Sequence, residues 1–316
     1  MHCAATRNAQ PETRNAQPAT RNPQPVRCLT PQGQQVISKF LHKICRILKE
    51  TVFPPKCPVC NNFYRPPNDG GGVSRGCDGA PNTLALSLRD NIDRVMASYL
   101  CPNCIRDLGV IASPLCTCCG LPFRSRQGPD HSCGDCITSP KNFRIARAPL
   151  VYETIFTEVI HCFKYRGKIQ LAKPLSELLL TSFMFFWDKD SIDVIVPVPL
   201  HIKRLRSRGF NQAYLLIRNW PAMAASRSWD PARFRIERDV LIRDVPTLPQ
   251  TAFGRSQRAV NIKNAFDLKR EEKIVDKRIL LVDDVYTTGA TANECARLLL
   301  NRGAQQVDVL TLARAV

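Results

Sequence analysis

The run ILLVDDVYTTGAT, Ile279 to Thr291, constrains this chain more than any other stretch. It opens on an apolar segment, Ile279 to Val282, with no polar alternation, which suits a strand buried on both faces of a parallel sheet. Asp283 and Asp284 then emerge at the carboxyl end of that strand, where open α/β sheets bind their ligands. Tyr286 to Gly289 turns the chain into a helix whose first backbone N–H groups lack intrahelical partners. Thr287, Thr288, Gly289, Ala290 and Thr291 thus make an anion cradle. Free donors and the helix dipole attract phosphate, the threonine hydroxyls add donors, and Gly289 lets the backbone come close. Carboxylates accept hydrogen bonds from the vicinal hydroxyls of a sugar, so the two halves together fit a ribose 5-phosphate. In the competing reading the two acids only cap a helix, with Thr288 as its N-cap.

The chain around this run alternates strands and helices beyond residue 145. Ala148 to Tyr152 reads as a strand, followed by a helix through Phe163 and a second helix over Leu171 to Trp187. DVIVPVP from Asp193 is a near-continuous β-branched run, residues 210 to 225 read as a helix, and Val240 to Ile242 as a short strand. Ala290 to Arg302 is a further helix and VDVLTLA from Val307 the last strand. This order predicts an α/β domain over residues 145–316, a mostly parallel sheet flanked by helices.

Residues 57–140 differ in kind: rich in cysteine and short of long apolar elements, with a GGG tract at Gly70 to Gly72 inside an insertion spanning 61–100. The segment carries four close pairs, Cys57 and Cys60, Cys101 and Cys104, Cys116 and Cys119, Cys133 and Cys136. Thiolates two residues apart on a tight turn occupy two corners of a tetrahedron around zinc, and a second pair closes it. A segment this poor in core needs metal to fold, which favours structural zinc over redox chemistry. Sequential and cross-braced pairing both satisfy the spacing. Cys118 could replace a neighbour, His131 is a bystander, and Cys162 and Cys295 read as small core residues.

Ahead of this module, residues 1–35 contain the repeat TRNAQPETRNAQPATRNPQP, which has almost nothing apolar to bury and reads as a disordered tail. Residues 36–56 form a basic amphipathic helix, with Val36, Ile37, Phe40, Leu41, Ile44 and Leu48 at helical spacing, stopped by Pro54 and Pro55. The tail lacks the apolar centre of a signal peptide, and the longest apolar run, Leu178 to Trp187, is too short to span a bilayer. A cytoplasmic protein is expected, in which 15 cysteines serve as metal ligands or buried thiols rather than as a disulfide framework. A formal net charge of +18 points to a polyanionic partner, whether nucleic acid or a phosphate-rich small molecule. No GxxxxGK[ST] motif and no GxGxxG fingerprint is present, so neither P-loop nor dinucleotide chemistry is indicated.

VDDVYTTGAT resembles the phosphoribosyl pyrophosphate (PRPP) signature of type I phosphoribosyltransferases. With CPVC, LCPNC, CTCCGLP, CGDC, FKYRGK, VPVPLHIKRLRSRGFNQA and TLPQTAFGRSQRAVNIKNAF, the arrangement is similar to the ComF family of competence-associated proteins over about residues 40–316. The resemblance implies a type I phosphoribosyltransferase-like domain behind a small zinc module, binding PRPP with Mg²⁺. It implies that Val198 to His201 is the pyrophosphate loop, with Lys203 and Arg204 beside it. It also implies that the segment holding Gln250, Thr251, Arg255, Arg258 and Asn261 is a flexible loop closing over PRPP. Lys203, Arg204 and Arg258 are then the residues that stabilise departing pyrophosphate. A role in DNA uptake follows from the same resemblance, with single-stranded DNA and competence-machinery proteins as partners. A non-catalytic DNA-binding or regulatory protein that uses PRPP as a ligand is the alternative. No residue pattern names the acceptor, its nucleophile or a general base.

Overall fold

The computed structural model describes residues 54–66, 83–125, 127–188, 190–227, 229–244 and 265–316. The chain divides into Met1–Phe53 and Pro54–Val316, and every described residue belongs to the second unit. The repeat tail, the amphipathic helix up to Phe53, the GGG tract and the loop carrying Arg258 lie outside the described residues.

The cysteine-rich part contributes helices α1 (Thr83–Met96), α2 (Pro102–Arg106) and α3 (Gly134–Thr138). Helix α1 falls within the segment read as an insertion. Leu88, Ile92, Val95 and Met96 recur at helical spacing and are all buried, so one face of the helix belongs to the core. The α/β part follows as β1 (Ala146–Arg147), β2 (Leu150–Val151), α4 (Thr154–Tyr165), α5 (Ala172–Phe186) and β3 (Val194–Pro197). It continues with α6 (Ile202–Arg208), α7 (Gln212–Ile217), α8 (Trp220–Ala225), β4 (Leu241–Arg243) and β5 (Phe266–Leu268). The last elements are β6 (Arg278–Tyr286), α9 (Ala290–Asn301) and β7 (Gln306–Arg314).

The main sheet is parallel throughout, in the order β1, β7, β6, β3, with β2 also on β7. Strands β1 and β2 occupy one line along β7, Ala146 opposite Val309 and Leu150 opposite Ala313. The line is interrupted at Pro149, which has no N–H to give to a ladder. The span 210–225, expected as one helix, is two: α7 ends at Ile217 and α8 restarts with Pro221 in its first turn, where a missing N–H costs nothing.

Strand alternation sorts the apolar side chains into two cores. Ile195, Leu280, Val282, Leu310 and Leu312 join helices α4, α5, α7 and α8 on one face. Val194, Val196, Ile279, Leu281, Val307 and Val309 join α9 and the β4–β5 pair on the other. Burial on both faces explains the missing polar alternation, each such side chain contributing roughly 1.5–3 kcal/mol. Among the described residues, the one fully buried acid in the strands, Asp308 at 0% exposure, is satisfied by Trp187 Nε1 at 2.7 Å and Arg144 Nε at 3.0 Å. That network ties the end of α5 and the entry to β1 onto β7 and is structural.

The cysteine module straddles this sheet. Cys57, Cys101 and Cys104 pack in the core of α4 and α5, whereas Cys116, Cys119, Cys133 and Cys136 pack in the core of α9. Ala146 N–H donates to the Cys118 carbonyl at 2.7 Å, which joins the second cysteine loop directly to β1.

Candidate functional site

Strand β6 runs farther than the apolar run suggests. Its pairing with β3 stops at Val282 opposite Pro197, but its pairing with β7 continues to Tyr286 opposite Arg314. Asp283 and Asp284 therefore lie inside the strand, not after it, and project past the end of β3. The correction matters because the two acids meet different elements. Asp284, 8% exposed, pairs with Lys164 Nζ of α4 at 2.6 Å. Burial opposes the charge of Lys164, but Asp284 and then Asp283 outweigh it and raise its pKa. Asp283 accepts from the Asp284 N–H at 2.8 Å. Burial, reinforced by the neighbouring Asp284 charge, pushes Asp283 up to about 7, against the pull of Lys164 and Arg243.

Lys164 belongs to the FKYRGK stretch, and nothing in its local sequence marks it as a partner of an acid far along the chain. Lys164→Met is expected to lower stability in urea titration by about 3 kcal/mol, the lower end for a broken buried pair. Combining it with Asp284→Asn should recover most of that loss; simple addition of the two losses would contradict a coupled pair.

After Tyr286 the chain turns at Gly289, whose φ is +76°, and α9 begins. A Cβ at Gly289 would stand 2.0 Å from the Tyr286 hydroxyl, so only glycine fits there. Gly289, not Thr288, is the N-cap; Thr288 Oγ1 accepts from Ala290 N–H at 3.4 Å. The first turn of α9 follows at the same strand end as the acids.

Three further stretches converge. Val198 N–H donates to the Val282 carbonyl at 2.8 Å, placing the loop Val198 to His201 against the end of β6. His201, 7% exposed, caps α6 by accepting from Lys203 N–H at 3.2 Å. Arg204 on α6 stands close enough to Arg243 to depress the Arg243 pKa, which burial lowers first and Asp283 partly restores. Lys203 is exposed. Arg243, 8% exposed at the end of β4, lies over the Phe266 ring at 5.2 Å. Its register partner is Phe266 of β5. Arg243 was missed in the sequence because a single arginine ending a short apolar run carries no motif.

The cysteines form two clusters, Cys57 with Cys60, Cys101 and Cys104, and Cys116 with Cys119, Cys133 and Cys136, the ligand atoms in each within 4.8 Å of one another. Pairing is therefore sequential. Thiolates around a tetrahedral zinc lie about 3.8 Å apart, and Cys60 to Cys101 measures 3.6 Å and Cys119 to Cys133 3.7 Å. Burial works against a Cys116 thiolate, yet N–H donors from Cys133, Cys119 and Cys118 bring its pKa down to about 6. These donor sets fit zinc. Cys118 lies outside the second cluster, and His131 stacks on Phe123 at 3.9 Å.

A cleft of about 290 Å³ lined by Asp193, Val194 and Arg278 opens at the opposite, amino-terminal end of β3 and β6. Arg278 hydrogen bonds hold Asp193 down to about 2, an ion pair that fastens two strands together.

Comparison with known proteins agrees with this geometry. The phosphoribosyl transferase domain matches residues 245–315, and the double zinc ribbon domain matches residues 93–137. DNA utilization protein YhgH of Escherichia coli K12 is 33% identical over 205 residues, 64% of this chain and 85% of that protein. Competence protein F of Haemophilus influenzae is 28% identical over 232 residues, 69% of this chain and 98% of its own length. Competence protein ComFC of Bacillus subtilis is 29% identical over 223 residues, 68% of this chain and 84% of its own.

The chain belongs to the ComF family.

As a ComF-family protein it combines a phosphoribosyltransferase domain with a zinc ribbon whose two cysteine clusters support structural zinc. The zinc ribbon match begins beyond Cys57 and Cys60, which only the fold brings to Cys101 and Cys104. No helix among the described residues is long and apolar enough to cross a membrane.

Proposed function

We propose that this chain binds PRPP with Mg²⁺ and transfers its ribose 5-phosphate to an amine or nucleobase in the service of DNA uptake and use. The observation that carries the reading is the end of β6, where two carboxylates stand past the end of β3 and lead directly into the Gly289 turn and α9. Asp283 and Asp284 accept hydrogen bonds from the ribose hydroxyls, while Thr287, Thr288, Gly289, Ala290 and Thr291 hold the 5′-phosphate. In the transfer the bond from C1 to the pyrophosphate oxygen breaks and pyrophosphate keeps the electron pair. The acceptor nitrogen bonds to C1 and gives up a proton. Arg204 and Arg243, with Lys203 and Arg258, meet the charge on the departing pyrophosphate. Mg²⁺ bound with PRPP supplies further neutralisation.

The Arg204 charge disfavours the charge on Arg243, so an anion bound at this strand end would be stabilised by both, which supports the pyrophosphate assignment. Calorimetric titration of the protein with PRPP and Mg²⁺, followed by assay of pyrophosphate release with purines, pyrimidines and ammonia, tests both parts. No heat of binding defeats the ligand assignment; binding without release under any acceptor defeats transfer.

The relatives' names, with the exposed Lys203 and Arg206 of α6, favour one second reading. In it, PRPP occupancy regulates contact with single-stranded DNA. Such binding should weaken steeply with salt, and salt-independent binding by protein lacking residues 1–35 counts against it.

Asp283 also predicts a pH dependence. Its folded pKa, raised to about 7, leaves part of the population protonated near neutrality. Affinity for PRPP should therefore rise between pH 6 and pH 8 as the carboxylate forms. Stability runs the other way: the contribution of protonated Asp283 is complete below about pH 4 and is lost as pH rises through about 7. Asp283→Asn should flatten the fall in Tm over that window, and an unchanged Tm profile would show that Asp283 does not titrate there.

A further inference from the structure

Arg314, the last residue of β7, connects the second cysteine cluster to the Gly289 turn. It is 7% exposed, and its Nη2 donates to Cys119 Sγ at 3.3 Å. Its guanidinium lies over the Tyr286 ring, 4.4 Å from the centroid, and the parallel register sets the two residues opposite each other. Its Nε and Nη1 are buried without a hydrogen-bond partner. A buried guanidinium in this condition is expensive unless negative charge stands beside it. Four thiolates on one zinc ion carry a net charge of about −2 and supply it.

The next contact leads to the cradle. The Tyr286 hydroxyl lies directly beneath Gly289, where a Cβ would stand 2.0 Å from it. The ring is held from the side by Phe143, edge-on at 6.2 Å between centroids. A second tether joins the same region to α9: Asn142 N–H donates to Asn293 Oδ1 at 2.7 Å. The first cysteine cluster packs in the other core, with α4 and α5.

We infer that Arg314 is a positioning residue through which zinc at Cys116, Cys119, Cys133 and Cys136 holds the 287–291 turn in shape. Metal-bound thiolate fixes the guanidinium, the guanidinium fixes the Tyr286 ring, and the ring supports Gly289 and the start of α9. This rests on the reading of that turn as a phosphate cradle only for its consequence, that loss of zinc from the second cluster weakens PRPP binding.

The test uses the full-length, zinc-loaded protein. Arg314→Met is expected to speed zinc release to a chromogenic chelator from one of the two sites by about 10-fold or more, the usual effect of losing a ligand's outer partner. Hydrogen exchange at the amides of residues 287–292 should accelerate by about 10-fold, with α5 unchanged as an internal reference. Arg314→Lys keeps the charge but not the planar fork; it should retain zinc while exchange in the turn stays fast. Tyr286→Phe, a milder change, should leave zinc release at the wild-type rate and still loosen the turn. Wild-type zinc release in Arg314→Met, or wild-type exchange at 287–292 in both Arg314→Met and Tyr286→Phe, overturns the inference. If exchange and zinc release change as stated while wild type binds no PRPP, the coupling stands and the ligand assignment fails. If wild type binds PRPP and Arg314→Met binds it equally with unchanged exchange, the coupling fails and the ligand assignment stands.

Discussion

The Asp283→Asn, Asp284→Asn double variant should lose PRPP binding, its Kd in calorimetric titration rising by about 100-fold or more. A hydrogen bond to a charged acceptor contributes roughly 1.5–3 kcal/mol, so two together supply about 3–6 kcal/mol, and each 1.4 kcal/mol is a factor of 10. Asparagine keeps the volume of each side chain and one acceptor oxygen while removing the charge, which isolates the electrostatic part. The two single variants should differ. Asp284 is already engaged by Lys164 at 2.6 Å, so Asp284→Asn strands a buried cation and costs stability as well as affinity. Asp283 is pushed up to about 7 by burial and by Asp284, so Asp283→Asn should cost affinity while stabilising the free protein above neutral pH. Wild-type affinity in the double variant, with a folded protein confirmed by its unfolding transition, would remove the acids from the site.

Chelation of metal should have the largest effect on the fold. The purified chain is expected to carry two zinc ions, and extracting them should abolish the cooperative unfolding transition of the module holding Cys57 to Cys136. Structural zinc contributes an apparent binding energy of roughly 10–16 kcal/mol, comparable to the whole net stability of about 5–15 kcal/mol typical of a folded protein. The clusters sit in different cores, so the damage should divide. Cys101→Ser with Cys104→Ser should reduce the zinc count to one and unfold α1 and α2, while Cys116→Ser with Cys133→Ser should expose the face of α9. Metal analysis and hydrogen exchange read both outcomes. Full retention of the thermal transition after zinc removal would show that the module folds on its apolar contacts alone.

Local chemistry explains what could be read without coordinates. The apolar runs over β3 and β6 marked buried parallel strands because each is covered on both faces, while β7 admits Asp308 only with Trp187 and Arg144 to satisfy it. The cysteine spacing marked metal because a two-residue gap on a turn has few other uses. Gly289 was legible as a close-approach position, although the reason lies in the Tyr286 hydroxyl beneath it. Elements were misjudged where one residue overrides a pattern, as Pro149 splits the first strand and Pro221 opens a second helix. Strand β6 exceeded its apolar run because β7 keeps pairing with it past the acids, and pairing across strands has no local signature.

The sequence by itself determined the parallel α/β domain, the four cysteine pairs and the juxtaposition of acids with a phosphate-type turn, since each is set by neighbours within about a dozen residues. Tertiary structure alone decided which cysteine pairs come together, that the two clusters pack in the cores on opposite faces of one sheet, and that Lys164, Arg243 and Arg314 are buried or half-buried against Asp284, Phe266 and Cys119. No local sequence feature of those three basic residues names the group each one meets. What gives each its place is a contact far away in the chain, with Asp284, the Phe266 ring and Cys119 respectively, and the burial that makes an unpaired charge too costly to keep.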